Sequence, residues 1–442
     1  MAHGEDDSGT PHSSASHGST PRGGGDARSA ESAKPARSAR SASGVRQGNV
    51  RRVLDALRLD GPSSQAALAR RTQLSPATVN AIVKTLRADG VAEVRPVNGR
   101  ESLVALVASH AAVVAVQVNV AAMRAALFDF GGRVRLDACV PLQGEGGSPA
   151  LVVDMVRSLT AEAGLGPRDF AGVAVGMQAP LARATGAVAS WARLQFPEWT
   201  DLPVAKTLED DLGIPVIAEN DANLAALAEW TWGAGQGAAD FLYVMCAAGV
   251  GGGLVIDGRI YRGGDGLAGE IGHIVLEPGG PVCFCGSRGC LTTFVSERSI
   301  LLALEASGSS RGSLREVVDG ARRGDPACRR VLYEAGRHLG RAFASTAKLM
   351  APSVIAVGGT LSEAGALVFD GIQSSVEMHS LRAVSPSIRV CPARLGDDAT
   401  LFGGVAAVLA ETGQGVSTLP AWSKPSKAAR QPQIIRDLNS RD

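Results

Sequence analysis

The sequence lacks long apolar runs and has few aromatic residues. No stretch of its 442 residues approaches the roughly 20 apolar residues that cross a bilayer, and its beginning has no hydrophobic stretch of the kind found in secretory signals. Only 4% of the residues are aromatic, whereas 54 are glycine, a composition typical of an α/β protein rich in tight loops. These absences argue against a membrane protein, and we expect a cytoplasmic location.

The two ends of the chain differ in composition from the part between them. Residues 1–44 contain no Leu, Ile, Phe, Trp or Tyr and are dense in Ser, Gly, Ala and Arg. Burial therefore cannot offset the entropy cost of ordering them. The segment after Gly413 is polar, basic and contains proline. We predict disorder at 1–46 and at 412–442, which leaves the folded domains between 47 and 411.

Charge is nearly balanced over the whole chain, with a formal net charge of +1, but it is not balanced locally. Residues 47–107 hold nine Lys or Arg against five Asp or Glu. Apolar residues in this stretch recur at helical spacing, which predicts short amphipathic helices. The apolar positions are Val50, Val53, Leu54 and Leu57 in the first helix, Ala67 and Leu68 in the second, and Val79, Ile82, Val83 and Leu86 in the third.

The third of these helices is predicted to enter the major groove of DNA. Ser75 is a good N-cap and Pro76 suits the first helical position. The face opposite the apolar stripe is small, polar and basic, and two predicted strands at 91–94 and 102–106 form a hairpin wing. The candidate DNA contacts are Ser75, Ala77, Thr78, Asn80, Lys84 and Arg100. A helical bundle for protein contacts is the alternative to a winged helix-turn-helix that binds operator DNA over 47–107.

Four potential metal ligands follow one another in the second half of the chain. His273 precedes Cys283, Cys285 and Cys290, in a segment that reads G-H…C-x-C-G-x-x-G-C. Three thiolates and one imidazole complete a tetrahedral zinc site and leave no open position, so we predict a structural Zn²⁺. Scattered buried thiols or a disulfide are the alternatives.

This segment resembles the signature of the ROK family (repressors, uncharacterised frames and sugar kinases). The family's other motifs match, in order, Glu219–Asn223, Gly249–Gly253, Gly269–His273, Val357–Thr360 and Leu395–Asp398. The resemblance implies an α/β fold, in which an N-terminal winged helix-turn-helix precedes a two-lobed actin-like ATPase (sugar kinase-like) domain at 108–411. A winged helix marks the repressor branch of the family.

The resemblance also implies a sugar site. In the kinases of the family, the Asp that matches Asp221 takes the proton from the sugar hydroxyl that attacks ATP. The residues that match Asn220, Glu270 and His273 contact the sugar. A pocket that only binds needs the same hydrogen-bond acceptors, so Asp221 is interpreted here as the relic of a kinase base.

The two phosphate loops of the kinases are altered in this chain. The first loop, D-x-G-G-T in the family, reads Q-V-N-V-A-A at 117–122, and the second, Gly-Thr-Gly, reads Ala-Ala-Gly at 247–249. Phosphoryl transfer depends on positioning and on donors that neutralise the ATP phosphates. We therefore expect no kinase activity.

Two further departures from the family fall in the sugar pocket. Arg193 stands where the family tends to have Asn, and Thr292 stands where it usually has Glu, so both are counted among the candidate ligand-binding residues. Because Arg suits bidentate binding of phosphate or carboxylate, the effector is predicted to be a sugar phosphate or an acidic sugar. The alternative is that Arg193 points outward or pairs with an acid such as Asp201.

The sequence therefore predicts a sugar-responsive, DNA-binding regulator, most simply a repressor, that binds its effector without phosphorylating it. Recognition helices work in pairs across a two-fold axis, so a homodimer or homotetramer is expected. One rival is an active ATP-dependent ROK sugar kinase with an appended DNA-binding module. Another is a constitutive DNA-binding protein whose second domain only mediates dimerisation.

Overall fold

A computed structural model describes residues 49–411, apart from 51, 55, 58–61, 89–90, 99–100, 107–111, 130–133, 143–145 and 382–387. The two predicted disordered ends and the wing residue Arg100 lie outside the described residues. Among the helices that the structure describes, none is both long enough and apolar enough to cross a membrane.

The N-terminal module consists of three helices and a hairpin. Helix α1 occupies residues 49–57 wherever that segment is described, and it is followed by α2 (Gln65–Thr72) and α3 (Pro76–Ala88). Ser64 and Ser75 begin the last two helices as N-caps, because their hydroxyls accept hydrogen bonds from the backbone N–H of Ala67 and Thr78. The predicted apolar positions of α1 and α3 are buried in one shared core, except Val50, which is partly buried against it.

The hairpin is longer than the sequence predicts. Strands β1 (Ala92–Asn98) and β2 (Glu101–Leu106) are antiparallel, and pairing continues through Pro96 opposite Ser102. The sequence predicted a first strand that ends at Val94, two residues before Pro96. A two-stranded sheet has only edge strands, however, and proline is tolerated there because its missing N–H is not needed for pairing.

The first lobe of the remaining chain is built on a five-stranded mixed sheet. Its strand order is β5–β4–β3–β6–β7, with an antiparallel half (β5, β4, β3) and a parallel half (β3, β6, β7). Strand β3 is buried at every position, which explains its nearly continuous apolar sequence. The elements are β3 (Ala112–Val118), β4 (Ala122–Phe128), β5 (Val134–Pro141), α4 (Pro149–Ala163), β6 (Phe170–Met177), α5 (Val204–Leu212) and β7 (Val216–Asn220).

The second lobe repeats this strand arrangement, in the order β10–β9–β8–β11–β12. Its sheet packs against helices that include the long α10, and together they form one apolar core. The strands are β8 (Asp240–Cys246), β9 (Val250–Ile256), β10 (Arg259–Ile260), β11 (Val354–Gly358) and β12 (Arg389–Pro392). The helices are α7 (Thr292–Val295), α8 (Glu297–Ala306), α9 (Leu314–Arg322), α10 (Pro326–Met350) and α11 (Ala366–His379).

Two helices, α6 (Asp221–Trp232) and α12 (Ala399–Glu411), join the two lobes. Helix α12 packs on the first sheet, helix α6 packs on the second, and the two helices cross each other. The crossing needs a glycine at 403, because a Cβ there would stand 1.8 Å from the carbonyl oxygen of Leu224. The first nine residues of α6 are all buried, so its N-terminus presents its side chains inside the protein rather than to bulk water.

Candidate functional site

The centre of the site is the point where strand β7 becomes helix α6. Asn220 is the N-cap of α6, and its side-chain oxygen accepts a hydrogen bond of 3.1 Å from the backbone N–H of Asn223. Asn is among the best N-cap residues because it satisfies an otherwise unpaired helix donor. Asp221, the first residue of the helix, is only 6% exposed. The capping requirement therefore places an amide and a carboxylate side by side at one buried helix end.

Two carboxyl groups of this site have unusually high proton affinity. Burial raises the pKa of Asp221 to about 7, against the opposing effect of a hydrogen bond from the Ala222 N–H, and the nearby negative charge of Glu270 raises it further. Burial also raises the pKa of Glu270 to about 7. The structure thus brings together Asp221 and Glu270, which lie 49 residues apart in the sequence.

His273 connects this pair to the cysteine cluster. Its Nε2 lies 3.8 Å from a carboxylate oxygen of Glu270, and its Nδ1 lies 3.5 Å from the sulfur of Cys283. Burial lowers the pKa of His273, which favours the neutral imidazole that metal ligation requires. One ring therefore faces both the carboxyl groups and the thiols.

The geometry of the four predicted metal ligands fits a tetrahedral ion. The Nδ1 or Nε2 of His273 and the sulfurs of Cys283, Cys285 and Cys290 all lie within 4.8 Å of one another, and the last two sulfurs are 3.8 Å apart. Zinc bonds of about 2.3 Å to sulfur and about 2.0 Å to nitrogen put neighbouring sulfurs about 3.8 Å apart and nitrogen about 3.5 Å from sulfur. Both observed separations match these values, and none of these cysteines forms a disulfide.

The backbone of the cysteine segment is shaped for this cluster. Gly289 has a φ of +63°, and a Cβ there would lie 1.6 Å from the carbonyl oxygen of Glu277. Gly286, with a φ of +91°, makes the turn between two ligands. These two glycines explain why the family-like spacing between Cys285 and Cys290 contains a glycine at each end.

An aromatic contact joins the first lobe to the cysteine segment. The ring of Trp191 lies 5.3 Å from the ring of His273 and 5.7 Å from that of Phe284, and the last two rings are 5.1 Å apart. The sequence analysis missed this role for Trp191. Its position within the segment that the family uses near the sugar was the available signal.

The two departures in the predicted pocket have different surroundings. Arg193 is exposed and its guanidinium lies 2.5 Å from a carboxylate oxygen of Asp201, which is the pairing that the sequence analysis held as the alternative. Thr292 is buried at the start of α7, where its carbonyl oxygen accepts a hydrogen bond from the hydroxyl of Ser299. Since Asp201 neutralises Arg193, the argument for a strongly positive pocket loses its main support.

Side chains of the protein accept hydrogen bonds from the backbone N–H groups of the turn between β3 and β4, at the altered first phosphate loop. The side-chain oxygen of Asn119 accepts from the N–H groups of Ala121 and Ala122 at 2.9 and 2.7 Å. The side-chain oxygen of Gln178 accepts from the N–H of Val120 at 3.1 Å. Three consecutive amides that would otherwise be available to an anion are thus occupied. An Asn after a strand readily makes such a turn, so the sequence carried the signal.

The glycines that survive near the second altered loop have packing roles. A Cβ at position 253 would lie 2.4 Å from the carbonyl oxygen of Ala222, and one at position 359 would lie 2.4 Å from that of Cys246. Close contact between backbones therefore explains these glycines without a bound phosphate. In the altered loop itself, the N–H of Ala247 donates to the carbonyl oxygen of Gly249.

The predicted DNA-reading face of α3 is accessible. Ala77, Asn80 and Lys84 are exposed, and Thr78 is half-buried. The hydroxyl of Ser75 is exposed but caps α3 and lies 2.8 Å from the hydroxyl of Thr78. The same helix thus buries one stripe in the module's core and leaves a polar stripe for a partner.

Comparison with known proteins identifies both parts of the chain. The model described as "ROK family" matches residues 113–412, and the model described as "Winged helix-turn-helix DNA-binding" matches residues 47–93. A solved structure of a ROK family transcriptional regulator, a homologue of the E. coli MLC protein, is 24% identical. It covers 84% of this chain and 98% of its own with a TM-score of 0.67. That likeness supports the fold.

Two curated relatives come from different branches. The xylose repressor of Bacillus subtilis is 25% identical over 371 residues, which cover 81% of this chain and 94% of the repressor. The glucokinase of Halalkalibacterium halodurans is 37% identical over 221 residues, which cover 47% of this chain and 67% of the kinase. The repressor alignment thus extends over much more of this chain than the kinase alignment does. With a winged helix-turn-helix at its N-terminal side and a ROK model matched over more than half its length, the chain belongs to the ROK family.

Proposed function

We propose that the protein is a sugar-responsive, DNA-binding transcriptional repressor that binds its effector without phosphorylating it. The observation that carries the proposal is a contrast between the candidate sugar contacts and the altered first phosphate loop. The acceptors of the buried Asp221 and of the half-buried Asn220, Glu270 and His273 lie near one another, whereas the amides of the β3–β4 turn already have partners within the protein.

The side chains of Asn220, Asp221, Glu270 and His273 suit a polyhydroxy ligand. Carboxyl groups, an amide and an imidazole supply directional hydrogen bonds that distinguish the stereochemistry of hydroxyl groups. Because Arg193 is already paired with Asp201, we favour a neutral sugar over the sugar phosphate or acidic sugar that the sequence suggested. The relatives named glucokinase and xylose repressor make D-glucose and D-xylose the first ligands to try.

We propose that Zn²⁺ occupies the cluster of His273, Cys283, Cys285 and Cys290 as a structural ion. The four ligands fill a tetrahedral coordination shell, so no position remains for a substrate or a water. When bound, the ion supplies a rigid cross-link rather than Lewis-acid chemistry. The residues themselves hold the segment after Glu270 in place and fix the orientation of the His273 ring.

Ligand binding changes DNA affinity only if the two conformations of the protein bind the ligand unequally. Closure of two lobes around a ligand is a hinge motion available to this architecture. We propose that the effector stabilises the closed arrangement and weakens operator binding by a homodimer or homotetramer in the cytoplasm. A two-fold assembly predicts a palindromic operator.

The test is fluorescence anisotropy on a duplex from the gene's own upstream region at fixed salt. D-Glucose, D-xylose and their phosphates are titrated into the complex. Release of DNA by a neutral sugar and not by its phosphate supports the proposal, and preference for the phosphate restores the anionic effector. Tight binding that no sugar alters supports the constitutive alternative.

One observation favours the rival function of a sugar kinase. A carboxylate with a pKa near neutrality is suited to act as a general base, and the pKa of Asp221 is raised to about 7. That rival predicts ATP-dependent phosphorylation of glucose that Asp221→Asn abolishes. The absence of product in a coupled assay with millimolar ATP and either sugar contradicts it.

A further inference from the structure

Next to the proposed sugar contacts lies a buried carboxylate that the proposed function does not use. Glu219, the penultimate residue of β7, is 7% exposed. A charge buried to this extent requires partners, since an unpaired one carries a large desolvation cost. One oxygen of Glu219 accepts from the N–H of Asn220 at 2.9 Å and from the side-chain amide of Asn223 at 3.0 Å. The carboxylate therefore ties the end of β7 to the first turn of α6.

The other oxygen of Glu219 is held from the second lobe. The Nε of Arg262 lies 2.5 Å from it, and Arg262 follows strand β10 by two residues. The guanidinium is 45% exposed while the carboxylate is 8% exposed. The pair thus joins the two sheets at the edge of the protein, directly beside Asn220 and Asp221.

Neighbouring contacts show that this part of the second lobe meets the first lobe at several points. The guanidinium of Arg183 donates to the carbonyl oxygen of Gly263 at 3.1 Å, and the N–H of Arg183 donates to that of Asp265 at 3.2 Å. Of these three contacts, however, only that of Arg262 reaches the residues that begin α6. A relative movement of the lobes therefore strains or breaks the bond from Arg262, which leaves Glu219 held only by Asn220 and Asn223 of its own lobe.

We infer that Glu219 and Arg262 form a positioning pair, which holds Asn220 and Asp221 in ligand-binding geometry only while the two lobes are closed. The inference rests on the proposed function, because it assigns ligand contact to Asn220 and Asp221. Neither Glu219 nor Arg262 needs to touch the ligand. The affinity for the effector then depends on lobe closure, so the closed conformation binds the effector more tightly than the open one. A ligand-gated repressor requires such unequal binding.

The test compares four full-length variants: Arg262→Gln, Glu219→Gln, the double variant, and Arg315→Gln. The last is a matched control, since Arg315 forms an exposed ion pair with Glu363 within the second lobe. Isothermal titration with D-glucose and D-xylose measures effector affinity, and anisotropy measures operator affinity without sugar. Hydrogen exchange of the peptide that covers 216–223 measures the order of the β7–α6 junction.

We expect Arg262→Gln and Glu219→Gln each to weaken sugar binding by about tenfold, and the double variant to be no weaker than the worse single variant, because the two side chains act as one unit. Operator affinity without sugar stays within about twofold of the wild type, since the hydrogen bonds of the pair join residues of the two lobes. Faster exchange in 216–223 accompanies the loss, whereas Arg315→Gln changes none of these quantities.

Sugar affinity equal to that of the wild type in Arg262→Gln overturns the inference, as do additive losses in the double variant. A fall in unfolding midpoint without a change in sugar affinity assigns the pair a structural role only and likewise overturns it. If the wild type binds neither sugar, the proposed effector class fails. Hydrogen exchange of the variants then tests the positioning pair separately. Exchange in 216–223 equal to that of the wild type refutes the pair, and faster exchange supports it.

Discussion

Replacement of Asp221 by Asn should remove a pH dependence of stability that the buried carboxyl group creates. Burial raises the pKa of Asp221 from 3.8 to about 7 in the folded protein. Between these two values the unfolded chain has lost its proton while the folded protein keeps it. Stability is therefore lost as pH rises from about 4 to about 7 and stays low above that.

The size of the effect follows from the pKa difference. A shift of one pKa unit corresponds to about 1.4 kcal/mol, so the difference of roughly three units amounts to at most about 4 kcal/mol. The amide of the substituted side chain has no proton to lose, and the variant should match the wild type near pH 4 but exceed it in stability above pH 7. The protonation of groups that do not interact with Asp221 cancels when the two proteins are compared at each pH, whereas Glu270, whose charge acts on Asp221, contributes a smaller part of the difference.

The assay is urea unfolding followed by circular dichroism from pH 4 to pH 8.5. Asp154→Asn, which removes an exposed carboxylate on α4, serves as the matched control for the substitution itself. A stability difference between Asp221→Asn and wild type that is flat across this range refutes the reasoning. A wild type that gains on the variant above pH 7 refutes it as well.

Three other predictions address the metal, the DNA and the altered loop. Cys285→Ser should lower bound zinc, measured by mass spectrometry, from one ion per chain to well below one, because three ligands hold it less tightly; unchanged stoichiometry contradicts the tetrahedral cluster. Lys84→Gln should weaken operator and random DNA alike and reduce the slope of log affinity against log salt by about 1; an unchanged slope removes Lys84 from the phosphate contacts. Asn119→Gly should free two turn amides, and calorimetry should then detect ATP or pyrophosphate binding that the wild type lacks; equal binding by both proteins contradicts the role given to Asn119.

The sequence predicted the elements that local patterns determine. The apolar stripe of α3, the cap at Ser75 and the family motifs are all local, and the winged helix-turn-helix and ROK fold that they predicted are confirmed. The pairing of Glu219 with Arg262 was not predicted. It joins residues 43 positions apart across two sheets, and only the three-dimensional arrangement brings them together.

Other contacts of the site were harder to predict, because the sequence offers a side chain more than one plausible partner. Arg193 was counted among the ligand-binding residues, with pairing to an acid such as Asp201 as the alternative. In the structure Asp201, eight residues away in the sequence, pairs with it. The role of Asn119 was in principle accessible, since Asn commonly accepts from backbone amides two and three residues further on. The contribution of Gln178 was not, because Gln178 follows strand β6, which is far from the turn in sequence and lies beside β3 in the sheet.

The occupied amides of the turn between β3 and β4 bear on which metabolites the protein can respond to. A side-chain acceptor within the protein competes with a nucleotide phosphate for the same amides. The acceptor is present at a fixed effective concentration, whereas the level of a nucleotide varies with the metabolic state of the cell. A kinase-like cleft with free turn amides reports on both sugar and energy supply. If the protein binds sugar without phosphorylating it, as proposed, the amides occupied by Asn119 and Gln178 leave its response dependent on the supply of sugar and not on that of ATP.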